Sequence, residues 1–226
     1  MSTTSKRQPY LPGTTLAMLT GQRVCVRPFT FEDVTRRCRW PRYVEPEFSH
    51  LNVDLNSEAR RSMWYRQRSQ QRSPFWFAVD TVDGKMIGEL TLREVDQGRK
   101  TARLGIHLSS AYIGSGYGTD AVRVVLDYTF DRLHFKEMKL DVAAHNRRAI
   151  RCYEKLGFSV AGSFWRMHPW SFQVLTDPRC VHLRPYVRLD GGLEVMKHWE
   201  MSLPTQDWRR GPVPDENAKT PPIGGE

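Results

Sequence analysis

The stretch that decides the fold of this sequence is Tyr112-Ile113-Gly114-Ser115-Gly116-Tyr117-Gly118-Thr119. It follows an alternating segment at residues 101–108, which predicts a strand, and precedes residues 119–133, whose apolar positions recur at helical spacing. Three glycines in five residues let the backbone approach a ligand closely. Amides at the start of a helix can bind phosphate without a charged side chain. The stretch therefore predicts a phosphate-binding turn between a strand and a helix.

Two other glycine-rich phosphate loops fit this sequence less well. A dinucleotide-binding turn belongs to a parallel βαβ unit with an acidic residue closing its second strand. Here the strands before the turn read as an antiparallel meander, and Asp141 falls inside the strand predicted at residues 138–144. A Walker A loop is excluded, because no Gly-Lys-Ser/Thr sequence follows the glycines.

The flanking pattern alternates strands and helices. Asp83-Gly84 is a hairpin turn signal between two strands of the meander. Thr30 can cap a helix whose first turn is acidic, and Gly157 can end another. The predicted strands are residues 23–27, 75–79, 85–95, 101–108, 138–144, 158 onward and 195–203, and the predicted helices begin after residue 30 and cover 57–69, 119–133 and 146–156.

A second segment reads Asn146-Arg147-Arg148-Ala149-Ile150-Arg151-Cys152-Tyr153-Glu154-Lys155-Leu156-Gly157-Phe158. It resembles the second conserved segment of the Gcn5-related N-acetyltransferase superfamily, and the glycine stretch resembles the pyrophosphate loop of that superfamily. The residues of the two motifs are most similar to those of the branch that includes the ribosomal-protein alanine N-acetyltransferases. Two motifs in the right order are far more specific than either one alone. The resemblance covers residues 21 to 162 well and returns weakly at 193–208.

The resemblance implies an α/β fold with a mixed, mostly antiparallel central sheet that is flanked by helices. The sheet would splay open between residues 101–108 and 138–144. Acetyl-coenzyme A would be the cofactor, with its pantetheine arm in the splay beside Leu108 and its pyrophosphate at the turn from Ile113 to Thr119. Asn146 would help to hold the cofactor arm.

Tyr153 matches the position of the usual proton donor to the departing thiolate in the superfamily. A phenol at that point can stabilise the charge that develops on sulfur. Many relatives carry a carboxylate early in the strand before the glycine loop, but Arg103 occupies that place here. His107 on the same strand, and Glu89 and Glu94 on the neighbouring strand, are therefore the candidates for the general base.

The sequence thus predicts an acetyl-CoA-dependent N-acetyltransferase that acts by direct attack of a primary amine. The acceptor is a protein N-terminus or a small amine, and Glu45, Glu47 and Asp54 can supply an acidic acceptor pocket. The competing hypothesis is a non-catalytic module that binds acyl-coenzyme A as a sensor or docks on a partner. The formal net charge of +9 would favour polyanionic partners, but nucleic acid is an unfavoured partner because no nucleic-acid-binding motif is visible.

Composition predicts where the protein works. Four cysteines without regular spacing favour a reducing compartment, and no signal-peptide-like or membrane-spanning apolar run occurs, so a cytoplasmic protein without membrane contact is expected. His168, Cys180 and His182 match no zinc pattern, so no metal is expected. Cys152 reads as a packed thiol, and a homodimer is compatible with the sequence.

The expected domain organisation has three parts. Residues 1–20 read as a flexible lead-in, 21–208 as the acetyltransferase domain, and 209–226 as a flexible tail rich in Pro, Gly and charge. Residues 163–192 fit no clean pattern and are too long for a structureless connection. We expect this insert to form a hairpin or a lid over the acceptor site.

Overall fold

The computed structural model describes residues 18–72, 75–168, 170 and 173–208. The expected tail lies outside the described residues, and so does the lead-in up to residue 17. None of the described helices combines the length and apolarity that crossing a bilayer requires.

The described residues form one mixed sheet with helices on both faces, which confirms the predicted fold class. The strands are β1 (Leu19–Thr20), β2 (Val24–Pro28), β3 (Trp76–Thr81), β4 (Met86–Asp96), β5 (Thr101–Leu108), β6 (Glu137–Ala143), β7 (Ser159–Met167), β8 (Val187–Asp190) and β9 (Leu193–Pro204). The α-helices are α1 (Phe31–Cys38), α2 (Glu58–Arg72), α3 (Tyr117–Asp127) and α4 (Arg147–Lys155). Short 3₁₀ helices occupy Pro46–Leu51, Ser110–Tyr112, Pro178–Tyr186 and Thr205–Asp207, and α3 continues into a π-helical turn at Tyr128–Arg132.

The strand order is β1-β2-β3-β4-β5-β6-β9-β7, with β8 beside β9. The predicted meander is β3-β4-β5, in which neighbours are antiparallel. The parallel pair is β5 and β6, and it holds only where Thr101–Arg103 faces Glu137–Lys139. Beyond Arg103 the two strands separate, so the sheet opens toward Leu108 and Ala143. The predicted splay is therefore present between the predicted strands.

Two apolar layers hold the helices against the sheet. On one face α3 and α4 pack onto the strands, with Val122, Val125 and Leu126 fully buried. On the other face α1 and α2 cover a smaller cluster in which Phe29 stacks on Trp76 at 4.0 Å between ring centroids. Because both faces are covered, β3 and most of β4 are buried, including the polar residues Asp80 and Glu89.

The caps of α1 and α4 follow from sequence. Thr30 and Asp33 form a capping box at the start of α1, where Asp33 also pairs with Arg27 at 2.7 Å. The Asn146 side chain accepts from the Ala149 amide at 3.1 Å and so starts α4. Gly157 takes a left-handed φ of 92° just after α4, as predicted for a helix end.

The region expected to be an insert is more regular than its composition indicated. Residues 163–167 belong to β7 and pair with β9, and residues 187–190 form β8 on the opposite edge of β9. Between them Val174, Cys180 and Leu183 are buried in a third apolar cluster that includes Met196. This segment reaches back to residues 46–51, because the Trp170 indole donates to the Glu47 carbonyl at 2.9 Å.

Candidate active site

A cavity of about 550 Å³ runs along the splay of the sheet. We call it the cofactor cavity. The ends of β5 and β6, the glycine turn and α4 form its walls, and Tyr43, Phe48 and Leu51 lie at one end. The predicted binding residues that line it are Leu108, Ile113, Gly114, Gly116, Gly118, Thr119 and Asn146, together with the predicted catalytic residues His107 and Tyr153.

The glycine turn leaves backbone amides available at the start of α3. Gly114 and Gly116 have φ values of 78° and 84°, which side chains with a Cβ rarely adopt. The first internal helix bond runs from the Asp120 amide to the Gly116 carbonyl at 3.1 Å. The amides of Tyr117, Gly118 and Thr119 precede it and have no acceptor within the helix. This arrangement fits a phosphate group.

Two of the predicted cofactor residues act as supports for the turn. The Ser115 carbonyl accepts from the Arg23 guanidinium, which also lies 4.2 Å over the Tyr117 ring. Neither Ser115 nor Tyr117 lines the cofactor cavity. Gly118 lets the turn pack closely against Leu108, because a Cβ added there would lie 3.2 Å from the Leu108 side chain.

Positive charge accumulates on the α4 side of the cavity. Arg148, Arg151 and Lys155 line it and no carboxylate of α4 does. Phosphate-binding amides at one wall and cations at another fit a cofactor that carries several phosphates. The residues present therefore fit coenzyme A.

Leu108 and Asn146 have partners of their own. The Leu108 carbonyl accepts from the Tyr43 hydroxyl at 2.5 Å, so the backbone that was expected to pair with the pantetheine arm is partly occupied. The Asn146 carboxamide oxygen caps α4. A carbonyl oxygen has two lone pairs and an amide nitrogen two hydrogens, so each residue retains capacity toward the cavity.

Tyr153 lies on α4 and faces the cofactor cavity with 7% of its surface exposed. Burial raises the pKa of Tyr153, so the hydroxyl is protonated at neutral pH. Within the described residues, no hydrogen-bond partner meets this hydroxyl. Its neighbour Cys152 packs against Thr119, with Sγ 3.2 Å from Oγ1, and burial raises the pKa of that thiol. Cys152 is therefore a poor nucleophile.

Glu89 lies behind His107 in a buried polar cluster. It accepts from Arg37 Nη1 at 2.7 Å and from the Trp76 indole at 3.0 Å. Glu89 does not line the cofactor cavity. A carboxylate that is buried and neutralised by a guanidinium holds structure together.

His107 donates into the cavity instead of accepting. Arg37 Nη1 lies 2.8 Å from His107 Nδ1, and a guanidinium can only donate, so Nδ1 accepts. Burial, with Arg37 beside it, lowers the pKa of His107, so the ring is neutral at neutral pH. Its one proton then sits on Nε2, which is buried without a protein partner. This tautomer argues against His107 as the general base.

Glu94 and Arg103 belong to a surface ion network. Arg103 pairs with Glu94 at 2.9 Å, with Glu200 at 2.9 Å and with Asp141. The Glu94 side chain is 66% exposed. Arg103 therefore takes over a structural role at the position where many relatives carry a carboxylate.

Tyr43 and Arg37 shape the site and were not predicted. Both come from segments whose sequence carries no motif, and they meet β5 only through tertiary folding. Arg37 also lines a smaller cavity of about 230 Å³ with His107, Trp40, Arg42 and Asp54. We call this space the α1-side cavity. Among the described residues, no group of three or more His, Cys, Asp or Glu is arranged to hold a metal ion.

Comparison with known proteins identifies similar chains. The sequence model of the acetyltransferase (GNAT) domain matches residues 23–159 of the 226. The chain is 29% identical over 154 residues to the probable N-acetyltransferase YjcK of Bacillus subtilis, which covers 64% of this chain and 85% of that protein. It is 35% identical over 98 residues to spermidine N(1)-acetyltransferase of Escherichia coli K12, a match that spans 43% of this chain and about half, 52%, of that protein.

Solved structures share the fold at low sequence identity. A GCN5-related N-acetyltransferase from Brucella melitensis superposes with a TM-score of 0.64 at 19% identity, covering 87% of this chain and 82% of that one. Spermidine N-acetyltransferase from Vibrio cholerae, solved with CoA and spermine, gives a TM-score of 0.59 at 17% identity, covering 81% and 96%.

Proposed function

The chain belongs to the GNAT acetyltransferase family, and from that premise we propose that it transfers an acetyl group from acetyl-coenzyme A to a primary amine by direct attack. The family assignment confirms the resemblance noted in the sequence, and the cofactor of the family is acetyl-coenzyme A. One observation carries the proposal: a single cavity joins the glycine turn to Tyr153 at the splay of the sheet.

Different groups of the chain bind different parts of the cofactor. Bound acetyl-coenzyme A supplies a thioester whose carbonyl carbon is open to an amine. The first-turn amides of α3 hold phosphate, and Arg151 and Lys155 on α4 add positive charge. Leu108 and Asn146 offer backbone and amide groups to the arm that lies in the splay. This placement orients the acyl group for reaction.

Tyr153 serves as the proton donor to the leaving sulfur. Its hydroxyl is protonated, faces the cavity and has no competing protein acceptor in the described part of the chain. Proton donation by a positioned group contributes about 10²- to 10⁴-fold to a rate. The raised pKa keeps the proton on oxygen until negative charge develops nearby.

His107 serves as a hydrogen-bond donor at the opposite wall. Its Nε2–H is buried and lacks a protein acceptor, so it suits an oxygen that gains negative charge during attack. Arg37 and Glu89 act through it by fixing the ring and its tautomer. The proton of the amine then leaves through water, since neither Glu89 nor His107 accepts it in this geometry.

The acceptor class is a primary amine, either a protein N-terminus or a small molecule. Spermidine acetylation by the relative named above supports an amine, although that match covers about half of that protein. The relatives also include a putative ribosomal N-acetyltransferase, YdaF of Bacillus subtilis, at 28% identity over 80 residues.

Thiol release from acetyl-coenzyme A tests the proposal. The purified chain is given N-terminal peptides, polyamines, aminoglycosides and free amino acids in separate reactions. We expect amine-dependent release with at least one class, and an acetylated amine by mass spectrometry. Cofactor binding by calorimetry without release in any reaction would instead support a non-catalytic acyl-coenzyme A module.

A further inference from the structure

A second small cavity, of about 180 Å³, opens beside the cofactor cavity on the side of β6 and β9. The two cavities share Phe48, Leu51, Ala143 and Asn146, so they adjoin at these four residues. We call the second space the histidine cavity. Its remaining wall consists of Glu47, His50, His145, His168, Trp170, Met196 and His198.

Glu47 brings an incompletely paired carboxylate into the histidine cavity. The residue is 8% exposed. Oε1 lies 3.1 Å from His182 Nε2, whereas Oε2 is buried without a hydrogen-bond partner. Leaving a buried carboxylate oxygen unpaired is costly, and native structures rarely do so without a reason. A donor from a ligand is the simplest way to satisfy it.

His168 adds a second unused acceptor. Its Nε2 lies 3.2 Å from Glu194 Oε2, and that carboxylate also accepts from the amides of Val174 and Leu175. Because a carboxylate only accepts, the His168 proton points at Glu194. Nδ1 is buried without a partner, and it is an acceptor in the neutral form of the ring.

His145 is the most isolated polar side chain at this wall. Both of its ring nitrogens are buried and without partners. Burial lowers the pKa of His145 to about 4, so the ring is neutral at neutral pH and offers one donor and one acceptor. Its ring centroid lies 6.1 Å from Phe48 and 6.2 Å from Trp170.

The chemistry of this wall matches a primary ammonium group. Glu47 and His145 present two unused acceptors, one of them on a carboxylate, and His168 adds a third in its neutral form. An alkylammonium carries three donors and no acceptor. Phe48 and Trp170 add aromatic faces, which attract cations.

The α1-side cavity has the opposite polarity. Arg37 Nε is a buried donor there without a partner, and Arg42 adds a second guanidinium against the single carboxylate of Asp54. A cation gains little in that space. Of the two small cavities that adjoin the acetyl-transfer point, the histidine cavity is the one suited to an amine.

The size of the histidine cavity limits the group that enters. A volume of 180 Å³ corresponds to the space of about six water molecules at about 30 Å³ each. An unbranched aminoalkyl arm of about four or five carbons fills that space, whereas a sugar ring with its substituents exceeds it.

We propose that the histidine cavity binds the amino end of the acceptor, that Glu47 is the anion that holds it, and that the acceptor presents an unbranched primary aminoalkyl arm. This inference rests on the proposed acetyl transfer and specifies its substrate class. Once the ammonium loses a proton to water, the amine nitrogen forms the new bond to the acetyl carbon and the bond from that carbon to sulfur breaks. Tyr153 supplies the proton to sulfur, which leaves as thiol, and the second proton that the nitrogen loses on becoming an amide returns through water to the Tyr153 oxygen.

Kinetics with Glu47→Gln tests the inference. Glutamine keeps the side-chain volume and an acceptor for His182 but removes the charge. With butylamine or pentylamine as acceptor, we expect the KM for the amine to rise about 10- to 100-fold, the range for a lost charge-assisted hydrogen bond. The KM for acetyl-coenzyme A should stay within about twofold, since Glu47 does not line the cofactor cavity.

Glu58→Gln is the matched control. Glu58 is exposed at the start of α2 and lines neither the histidine cavity nor the cofactor cavity. It should leave both KM values unchanged. If Glu47→Gln also leaves the KM for every active amine unchanged, or if branched tert-butylamine is as good a substrate as butylamine, the inference is wrong.

Two further measurements cover the remaining outcomes. If Glu47→Gln does not fold, His145→Gln replaces it and should raise the KM for the amine about tenfold through its lost hydrogen bond.

If the wild-type chain binds coenzyme A but acetylates no amine, the proposed acetyl transfer is wrong. The inference is then tested by calorimetry of butylamine with the coenzyme A complex. Binding that Glu47→Gln abolishes supports it, and no binding overturns it. Stoichiometric zinc binding that His145→Gln abolishes would also overturn it, in favour of a metal.

Discussion

The two walls of the cleft are built in different ways. The cofactor wall comes from two short, continuous segments, the glycine turn with the start of α3 and the first turns of α4. The acceptor wall is assembled from distant residues, since Glu47 meets Trp170 and His182 across 123 and 135 positions of sequence. The cofactor wall binds mainly through backbone, whereas the acceptor wall depends on the packing of side chains. Changes to the two walls should therefore separate cofactor affinity from stability and acceptor affinity.

The largest effect is expected at the buried pair of Arg37 and Glu89. Glu89→Gln leaves the guanidinium without its counter-charge, so the free energy of unfolding should fall by about 4 kcal/mol in urea denaturation. Glu94→Gln on the same strand removes an exposed partner of Arg103 and should cost less than about 1 kcal/mol. A Glu89→Gln protein that remains stable but loses more than about a thousandfold in kcat would instead identify Glu89 as the general base.

The next effect concerns Tyr153 at the junction of the two walls. Tyr153→Phe should lower kcat about 100- to 300-fold by removing the proton donor. The Kd for acetyl-coenzyme A should change less than about twofold, because the ring and its packing against Phe158 remain. Both constants are measured by thiol release and calorimetry.

Tyr128→Phe is the matched control for Tyr153→Phe. Tyr128 also has a hydroxyl that is buried without a hydrogen-bond partner, but it does not line the cofactor cavity. Its removal should leave kcat unchanged. Equal losses from the two variants would mean that Tyr153 acts through packing alone.

The cofactor wall could be predicted from the sequence because it is determined by neighbouring residues. Glycine spacing, the Thr30 and Gly157 caps and the periodicity of α3 each involve neighbouring residues, and the fold class and splay followed from the resemblance that the two motifs carry. The predicted strands differ from the observed ones by one or two residues at most ends, as expected from fraying and assignment of ends.

The acceptor wall could not be predicted from the sequence in the same way. The sequence singled out His107 and Glu89 by residue type, but the guanidinium of Arg37, which decides what both can do, comes from another element. Residues 163–167 were placed in an insert because residues 163–192 fit no clean pattern, yet pairing with β9 makes them a strand. Tertiary partners outweigh local pattern at these positions.

A smaller effect tests the backbone of the cofactor wall. Gly116→Val forces a β-branched residue into a φ of 84°, at a strain of about 1–3 kcal/mol, and displaces the first amides of α3. The Kd for acetyl-coenzyme A should rise about 10- to 30-fold by calorimetry. Gly191→Val imposes similar strain at φ 57° between β8 and β9, away from the cleft, and should leave that Kd unchanged. Equal Kd values for the two variants would contradict a phosphate cradle.

The smallest effect belongs to His145 in the acceptor wall. Burial lowers its pKa from 6.5 to about 4, with His198, His182 and His50 acting in the same direction and Glu47 opposing them. Since the folded-state pKa lies below the unfolded value, the unfolded chain binds more protons between these two pH values. Stability contributed by the neutral ring is therefore complete above pH 6.5 and is lost as the pH falls toward 4.

His145→Gln removes this proton linkage while it keeps a polar side chain of similar reach. Between about pH 7 and pH 4 the wild-type chain should lose on the order of 1–2 kcal/mol more unfolding free energy than the variant, measured by urea denaturation at each pH. The difference should vanish above about pH 7, where the ring is neutral in both states. Parallel curves across this range would show that the pKa of His145 is the same in the folded and unfolded chain, and that the fold does not shield the ring from water.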